Sequence, residues 1–253
     1  MLRLLINMDK SIDRFDKVSS RLACLGINFK RISAIDGNAL TDDLLEKITL
    51  PKNDKRKIGC PRDLLRGEIG CYLSHLKCWE ELLRSDEKFA LILEDDIDIS
   101  YRAKLFMQSE EWIPSGCQFI QLHGNVIHKA KVKSKILNIG QEGGLVELVK
   151  PTPVCTWAYV ISREAAQYLV NNSRYILAPV DEFIASPYFT FRKKYDIWRL
   201  NPCVVTTNGD ITIIGSRKIK YRIDMLTKIK RKLIKSIYNL NMLDCVEMDL
   251  YYK

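Results

Sequence analysis

The chain has 253 residues, enough for one large α/β domain or for a catalytic domain with a small appendage. Its 40 Lys and Arg against 31 Asp and Glu leave a net charge of +9, which calls for an anionic partner: nucleic acid, phosphorylated lipid or nucleotide. The opening Met1-Leu2-Arg3-Leu4-Leu5-Ile6-Asn7 turns polar too soon for a signal peptide, no run reaches the length of a membrane span, and the eight cysteines never form a Cys-x-x-Cys pair. A cytosolic protein with reduced, mostly packing thiols is expected.

Arg3 to Asn7 reads as a first strand, left by the polar loop from Asp9 to Arg14. Phe15, Val18, Leu22 and Leu25 recur at helical spacing and Gly26 stops that helix. Phe29 to Ile35 is a second strand running into the turn pair Asp36-Gly37, so the chain opens β-α-β. A short helix follows from Thr41 to Ile48, then a basic, proline-containing loop from Pro51 to Pro61. Gly67 opens a stronger helix, with Ile69, Tyr72, Leu73, Leu76, Trp79 and Leu83 along one face. Its glycines, Gly67 and Gly70, sit where backbone approaches a ligand and the helix dipole favours an anion. Cys71, His75 and Cys78 fall on one face of the same helix, with Cys60 upstream. That is a competing zinc set, although structural zinc sites draw on knuckle-like ligand pairs; core packing by the cysteines is the alternative.

Phe89 to Leu93 is five apolar residues long and predicts a strand buried on both faces. It runs directly into Glu94-Asp95-Asp96-Ile97-Asp98, at the carboxyl end of a strand, where open α/β sheets bind their ligands. Continued extended geometry points Glu94 and Asp96 to one side and Asp95 to the other. The repulsion between two such carboxylates is relieved by a shared divalent cation, and oxygen-only ligands suit Mg²⁺ or Mn²⁺. An acidic loop that only solvates a strand end has the same composition.

Further on, a helix is expected from Tyr101 to Trp112 and a strand from Phe119 to Leu122, leading to His123. The basic stretch Lys129 to Lys135 reads as loop and edge strand; Leu145 to Val149 and Val154 to Ile161 read as strands. Ser162 is a helix N-cap for a helix reaching about Asn171, and late strands run from Tyr195 to Leu200 and Val204 to Thr207. This alternation predicts an α/β fold, a mixed sheet with helices on both faces, over residues 1–215. Residues 216–253 differ. From Ser216 to Asn239 basic residues greatly outnumber the single acid Asp224, and Ile219, Ile223, Leu226, Leu233 and Ile237 form an apolar stripe. The pattern fits a basic amphipathic helix on an anionic membrane surface, or a helix docked on the domain with its basic face solvated. Nucleic acid fits less well, because no reader motif accompanies the charge.

Five motifs in this order and spacing resemble glycosyltransferase family 25: Leu5-Ile6-Asn7-Met8-Asp9 with Asp13-Arg14; Ala34-Ile35-Asp36-Gly37; Gly67-Glu68-Ile69-Gly70-Cys71 with Ser74-His75; Leu93-Glu94-Asp95-Asp96; and Pro179-Val180-Asp181-Glu182-Phe183. The family contains bacterial lipooligosaccharide glycosyltransferases and collagen galactosyltransferases, and the resemblance covers roughly residues 3 to 207. It implies a GT-A-like (Rossmann-like) fold, a UDP-sugar donor, most often UDP-galactose, Mn²⁺ or Mg²⁺, and transfer with inversion. On that resemblance Glu94 and Asp96 hold the cation; Asn7, Asp9, Arg14, Asp36, Gly37, Ser74, His75 and Asp95 meet the donor. Asp181 is the base for the acceptor hydroxyl and Glu182 its substitute. The acceptor implied is a lipid-linked oligosaccharide of lipooligosaccharide or lipopolysaccharide, met at the inner face of the cytoplasmic membrane. Glu-Asp-Asp stands where GT-A enzymes carry Asp-x-Asp, and Met8 replaces the family's usual leucine. A nucleotidyltransferase would also place carboxylates and Mg²⁺ at a strand end but normally carries a Gly-rich, basic phosphate loop, which is missing here. A peripheral membrane protein with a decayed site is the other alternative.

Overall fold

The structure, a computed structural model, describes residues 1–50, 63–124, 127–140, 143–148, 155–186, 189–207, 229 and 245–252. Its axis is β1 (Leu2–Asn7), paired in parallel with β2 (Lys30–Ser33) on one side and β3 (Phe89–Leu93) on the other. Because side chains alternate along a strand, Leu4 and Ile6 of β1 enter one core layer and Leu5 the opposite one. Ala90 and Ile92 of β3 join the first layer, Leu91 and Leu93 the second, and all four are fully buried. Two buried faces are the reason the run is continuously apolar.

Helices roof both layers. α1 (Ile12–Cys24) brings Val18 and Leu22 to the second layer and ends on paired bonds from Ile27 N to Leu22 O (3.0 Å) and from Gly26 N to Ala23 O (2.9 Å). Gly26 takes φ +68°, the left-handed conformation this ending requires. α2 (Asp42–Ile48) is capped by the Thr41 hydroxyl, which accepts from Leu44 N. α3 (Arg66–Arg84) covers the first layer with Ile69, Tyr72, Trp79 and Leu82. α4 (Ala103–Met107) packs on the second; α5 (Arg163–Asn171), α6 (Val180–Ala185) and α7 (Phe191–Lys194) pack on the first.

Beyond β3 the sheet continues through antiparallel β8 (Ala158–Ser162), then β5 (Phe119–Gln121), β9 (Trp198–Asn201), β7 (Gly144–Leu148), β6 (Ile127–Asn138) and β11 (Cys245–Tyr251). With β5 and β9 parallel to β3, the carboxyl ends of β1, β2, β3, β5 and β9 open along one edge. The start of β8 lies there too, Ala158 facing Leu93. Just past it, β4 (Ile97–Ile99) and β10 (Val205–Thr207) form a separate antiparallel ribbon. The α/β class with helices on both faces is thus as expected. No helix among the described residues is long and apolar enough to cross a membrane.

Three expectations change. The helix expected from Tyr101 to Trp112 is confined to α4, because the Trp112 indole turns back to donate to Phe106 O (2.9 Å) and Ser109 O (3.0 Å) instead of continuing the helix. The strand expected from Val154 starts only at Ala158, with residues 149–154 outside the described residues. The Lys129–Lys135 stretch is interior to the twelve-residue β6, not an edge, since β11 pairs along it from Ile127 to Lys133. β11 itself had no counterpart in the sequence reading. The 51–61 loop and, apart from residue 229, the 216–239 segment lie outside the described residues.

Of the two glycines expected to face a ligand, Gly67 lines the cleft described below and Gly70 packs against backbone instead. A Cβ on Gly70 would lie 2.4 Å from Ile35 O and 2.6 Å from Gly37 N, and one on Gly37 would lie 1.7 Å from Arg66 O. The turn after β2 and the start of α3 therefore interlock main chain to main chain, with the 3₁₀ turn Gly37–Ala39 seated on the helix. Gly70→Ala is expected to lower unfolding free energy by about 1–3 kcal/mol, the usual cost of overpacking. Urea denaturation checks this; an unchanged midpoint would show that the turn moves aside freely.

Candidate active site

The parallel strands reverse order at β1: α1 leads outward to β2, and α3 returns the chain to β3. Such a switch point leaves a crevice at the carboxyl edge. An open cleft with about 760 Å³ of free space, mouth included, lies there. Its walls are the exit of β1 at Asn7 and Met8, the Asp36 to Asn38 turn, the start of α3 with Gly67, Cys71, Ser74 and His75, and Glu94-Asp95-Asp96, with Arg14 of α1.

Glu94 makes the last ladder bond of β3, donating to Trp157 O at 2.9 Å; the chain then bends through Asp95 and Asp96, so strand alternation no longer sets where the three carboxylates point. Each has a different environment. Glu94 Oε1 accepts from the Thr156 hydroxyl at 2.6 Å and lies 3.2 Å from His75 Nε2. The imidazole is set from behind: the Trp79 indole donates to the Tyr159 oxygen at 3.0 Å, and Tyr159 lies 2.9 Å from His75 Nδ1. With the Tyr159 hydroxyl donating to Nδ1, the ring proton sits on Nε2 and points at Glu94. Burial alone would raise the Glu94 pKa, but the His75 and Thr156 hydrogen bonds prevail and hold it below the usual value. Asp95 accepts from Asn7 Nδ2 at 2.7 Å and lies 3.6 Å from Arg14, yet burial outweighs both and raises its carboxyl.

Asp96 is the exception. Its Oδ1 is buried with no hydrogen-bond partner among the described residues. Burial, reinforced by the charges of Glu94 and Asp95, pushes its pKa up to about 7. A buried carboxylate oxygen without a donor, crowded by two like charges, fits a divalent cation, which would supply the missing partner and cancel the repulsion. Asp96 with Glu94 is an all-oxygen pair of the kind Mg²⁺ and Mn²⁺ take.

The other expected residues divide. Asn7, Arg14, Asp36, Gly37, Ser74, His75 and Asp95 all meet at the cleft. Asp36 accepts from Asn38 N at 3.0 Å and pairs with Lys10 at 2.7 Å, chiefly the latter holding its pKa low. The Ser74 hydroxyl is spent on backbone, donating to Gly70 O (2.7 Å) and accepting from Ile35 N (2.9 Å). Asp9 is exposed outside the cleft wall; it binds Ser33 and Arg31, and Arg31 Nε donates to Asn7 Oδ1 at 2.9 Å. Asp9 thus reaches the cleft only through Arg31 and Asn7. Asp181 and exposed Glu182 open α6, and Asp181 Oδ1 accepts from Glu182 N at 2.8 Å. Neither lines the cleft, but the Asp181 charge acts on the Cys71 and Cys155 thiols, as do Glu94 and Asp96. Asp181 therefore lies within electrostatic reach of the same cluster.

The zinc set does not assemble as spaced. Cys78 is fully buried in an apolar layer, and Cys60 lies outside the described residues. Cys71 and His75 converge instead on Glu94. The anion site at the start of α3 is also weakened, because buried Glu68 already accepts from Leu65 N at 2.9 Å there. Sequence reasoning missed Thr156, Tyr159 and Arg31, which orient Glu94, His75 and Asn7. It also missed buried Arg199, which donates twice to Gln121 Oε1, at 3.1 and 2.7 Å. The one available signal was a polar residue inside a buried strand: Tyr159 in Ala158-Tyr159-Val160-Ile161, Arg199 in Trp198-Arg199-Leu200.

The Asp96 environment has a pH signature. Its folded pKa is raised from 3.8 to about 7, so the protonated form favours folding and stability is lost as pH rises through that window. Without divalent ions, Asp96→Asn should gain thermal stability relative to wild type between pH 5 and pH 8. Added Mn²⁺ at pH 8 should stabilise wild type and leave the variant unmoved. A pH-independent difference in melting temperature would contradict this reading of Asp96.

Residues 1–184 match the family described as glycosyltransferase family 25 (LPS biosynthesis protein). Procollagen galactosyltransferase 2 from Homo sapiens is 30% identical over 190 residues, which cover 73% of this chain and 30% of that protein. Lipooligosaccharide biosynthesis protein lex-1 from Haemophilus influenzae is 25% identical over 202 residues, 70% of this chain and 66% of that protein. The chain thus spans less than a third of the length of the procollagen galactosyltransferase. A solved glycosyltransferase involved in glycosylation of the major capsid of PBCV-1 aligns over 93% of this chain and 98% of its own at 9% identity, with a TM-score of 0.39. Matched over well more than half of its residues, the chain belongs to glycosyltransferase family 25.

Proposed function

We propose that this glycosyltransferase moves a hexose, galactose first among the candidates, from a UDP-sugar to a saccharide of lipooligosaccharide or lipopolysaccharide, with inversion and with Mn²⁺ or Mg²⁺, on a GT-A-like domain. The observation that carries the reading is the orphaned Asp96 Oδ1 beside Glu94 in a cleft at the sheet's switch point. Asp96 and Glu94 would hold the cation, which when bound neutralises the charge growing on the departing diphosphate. His75 and Thr156 fix the Glu94 carboxylate before anything binds, so no reorganisation is needed as that charge develops. Arg14 adds a fixed positive charge on the cleft wall, and Asn7, Asp36 and Asn38 offer polar edges to the nucleoside. Asp181 takes the proton of the acceptor hydroxyl during attack, since that hydroxyl is far too weak an acid to ionise at neutral pH.

The acceptor is met at the inner membrane surface through the basic segment 216–239. Each basic residue near an anionic surface adds about 1 kcal/mol of attraction, screened by salt. Because β11 follows this segment and completes the sheet, its contribution is tested by charge removal and not by truncation.

A screen of UDP-sugars for slow, metal-dependent release of UDP tests the donor reading directly; no UDP release from any of them, with or without Mn²⁺, would leave the cleft a binding site only. Asp96→Ala should abolish transfer, and retained turnover in excess EDTA would remove the metal from the reaction. Asp181→Asn should lower turnover by roughly 10²-fold, the common worth of a positioned base, with donor affinity intact. Lost affinity with unchanged turnover would reassign Asp181 to binding. Replacing Lys228, Lys230, Arg231 and Lys232 with glutamine should release the protein from anionic liposomes at low salt; undiminished co-sedimentation would refute the membrane contact.

A further inference from the structure

The cleft also presents three unlike ligand atoms to one point. Cys71 Sγ, a nitrogen of His75 and a carboxylate oxygen of Glu94 all lie within 4.8 Å of one another, one helical turn of α3 against the exit of β3. The nitrogen facing the carboxylate is Nε2, 3.2 Å from Glu94 Oε1. Zinc bonds to nitrogen and oxygen are about 2.0–2.1 Å, so a tetrahedral zinc ion spans an N to O edge of about 3.3 Å. The pair is already set at that edge, held now by a proton in the ion's place. Both partners are also braced from outside, Nδ1 by Tyr159 at 2.9 Å and Oε1 by Thr156 at 2.6 Å, the outer support that metal-bound histidines and carboxylates need. Cys71 is itself one of the residues lining the cleft through which an ion would arrive.

We propose that Cys71, His75 and Glu94 form a zinc site inside the donor cleft and that zinc bound there inhibits the enzyme. The thiol, imidazole and carboxylate set suits zinc; the hard all-oxygen pair of Glu94 and Asp96 suits Mg²⁺ or Mn²⁺. On binding, zinc gains bonds to Sγ, Nε2 and Oε1, and the thiol proton is released to solvent. The imidazole remains neutral as its proton passes to Nδ1, where the Tyr159 oxygen has a second lone pair to accept it. The inhibition rests on the proposed role of Glu94 in holding the catalytic cation, because a zinc ion already on that carboxylate repels a second divalent cation beside it; the binding itself does not rest on it.

The test begins with the intact wild-type chain loaded with one equivalent of Zn²⁺ and studied by zinc X-ray absorption. One sulfur with nitrogen and oxygen ligands is expected; no sulfur, or two or more, overturns the site. Titration with Co²⁺ should give a thiolate-to-cobalt charge-transfer band saturating at one equivalent and lost in Cys71→Ser. Persistence of the band in that variant overturns the assignment to Cys71. Tyr159→Phe should weaken zinc binding by roughly 10- to 100-fold, the usual loss when an outer partner is removed. If the spectroscopic site forms while no UDP-sugar is ever turned over, the proposed reaction fails and the zinc site stands. If transfer proceeds and saturating Zn²⁺ leaves it untouched, the inhibitory role is overturned.

Discussion

Three adjacent carboxyl groups at the exit of β3 are the constraint around which the site is organised. They are partly or wholly withdrawn from water, and like charges at such spacing repel strongly where the dielectric is low. The fold accommodates two of them with donors brought from other elements: α3 and Thr156, two residues ahead of β8, hold Glu94, while β1 and α1 hold Asp95. Asp96 keeps one oxygen, Oδ1, without a donor among the described residues. Uneven treatment of chemically similar neighbours separates their proton affinities, which marks functional sites more often than structural ones.

Keeping those donors in place requires α3 to sit close against the first layer. Its glycine contact with the turn after β2 brings main chains together, and its indole and imidazole reach Tyr159 on the antiparallel strand next to β3. Tyr159 is fully buried and stacks on Phe119 with centroids 4.8 Å apart, so it has little freedom to give. The orientation of Glu94 is thus inherited from core packing and not chosen by solvent.

Much of this was legible in the sequence, and the reasons differ by element. The run from Phe89 to Leu93 and the stripe on α3 were visible because burial dictates residue type directly. The cleft residues Asn7, Asp36, His75 and Glu94 to Asp96 were visible because motif order marks strand ends. What stayed hidden depends on pairing between distant segments. Thr156 meets Glu94 only because β8 runs antiparallel to β3, and nothing in the local pattern states that direction. Gly70 misled for a related reason: a close backbone approach looks the same in sequence whether a ligand or another loop is the neighbour. Trp112 ended α4 early through a hydrogen bond to its carbonyls, a competition that helical periodicity does not register.

The pairing of β6 with β11 has a bearing on how the chain is made. During synthesis β6 emerges long before the strand that covers its outer edge, with β7, β8 and β9 all completed in between. Until β11 appears, β6 offers an uncovered row of backbone groups from Ile127 to Lys133, the kind of edge that recruits strands from other molecules. Its sequence carries Lys129, Lys131, Lys133 and Lys135 at every second position, a density of like charge that disfavours pairing between copies of that edge. Once the edge is closed, the register sets Asp249 opposite Lys129 and Glu247 opposite Lys131, so opposite charge replaces like charge along it.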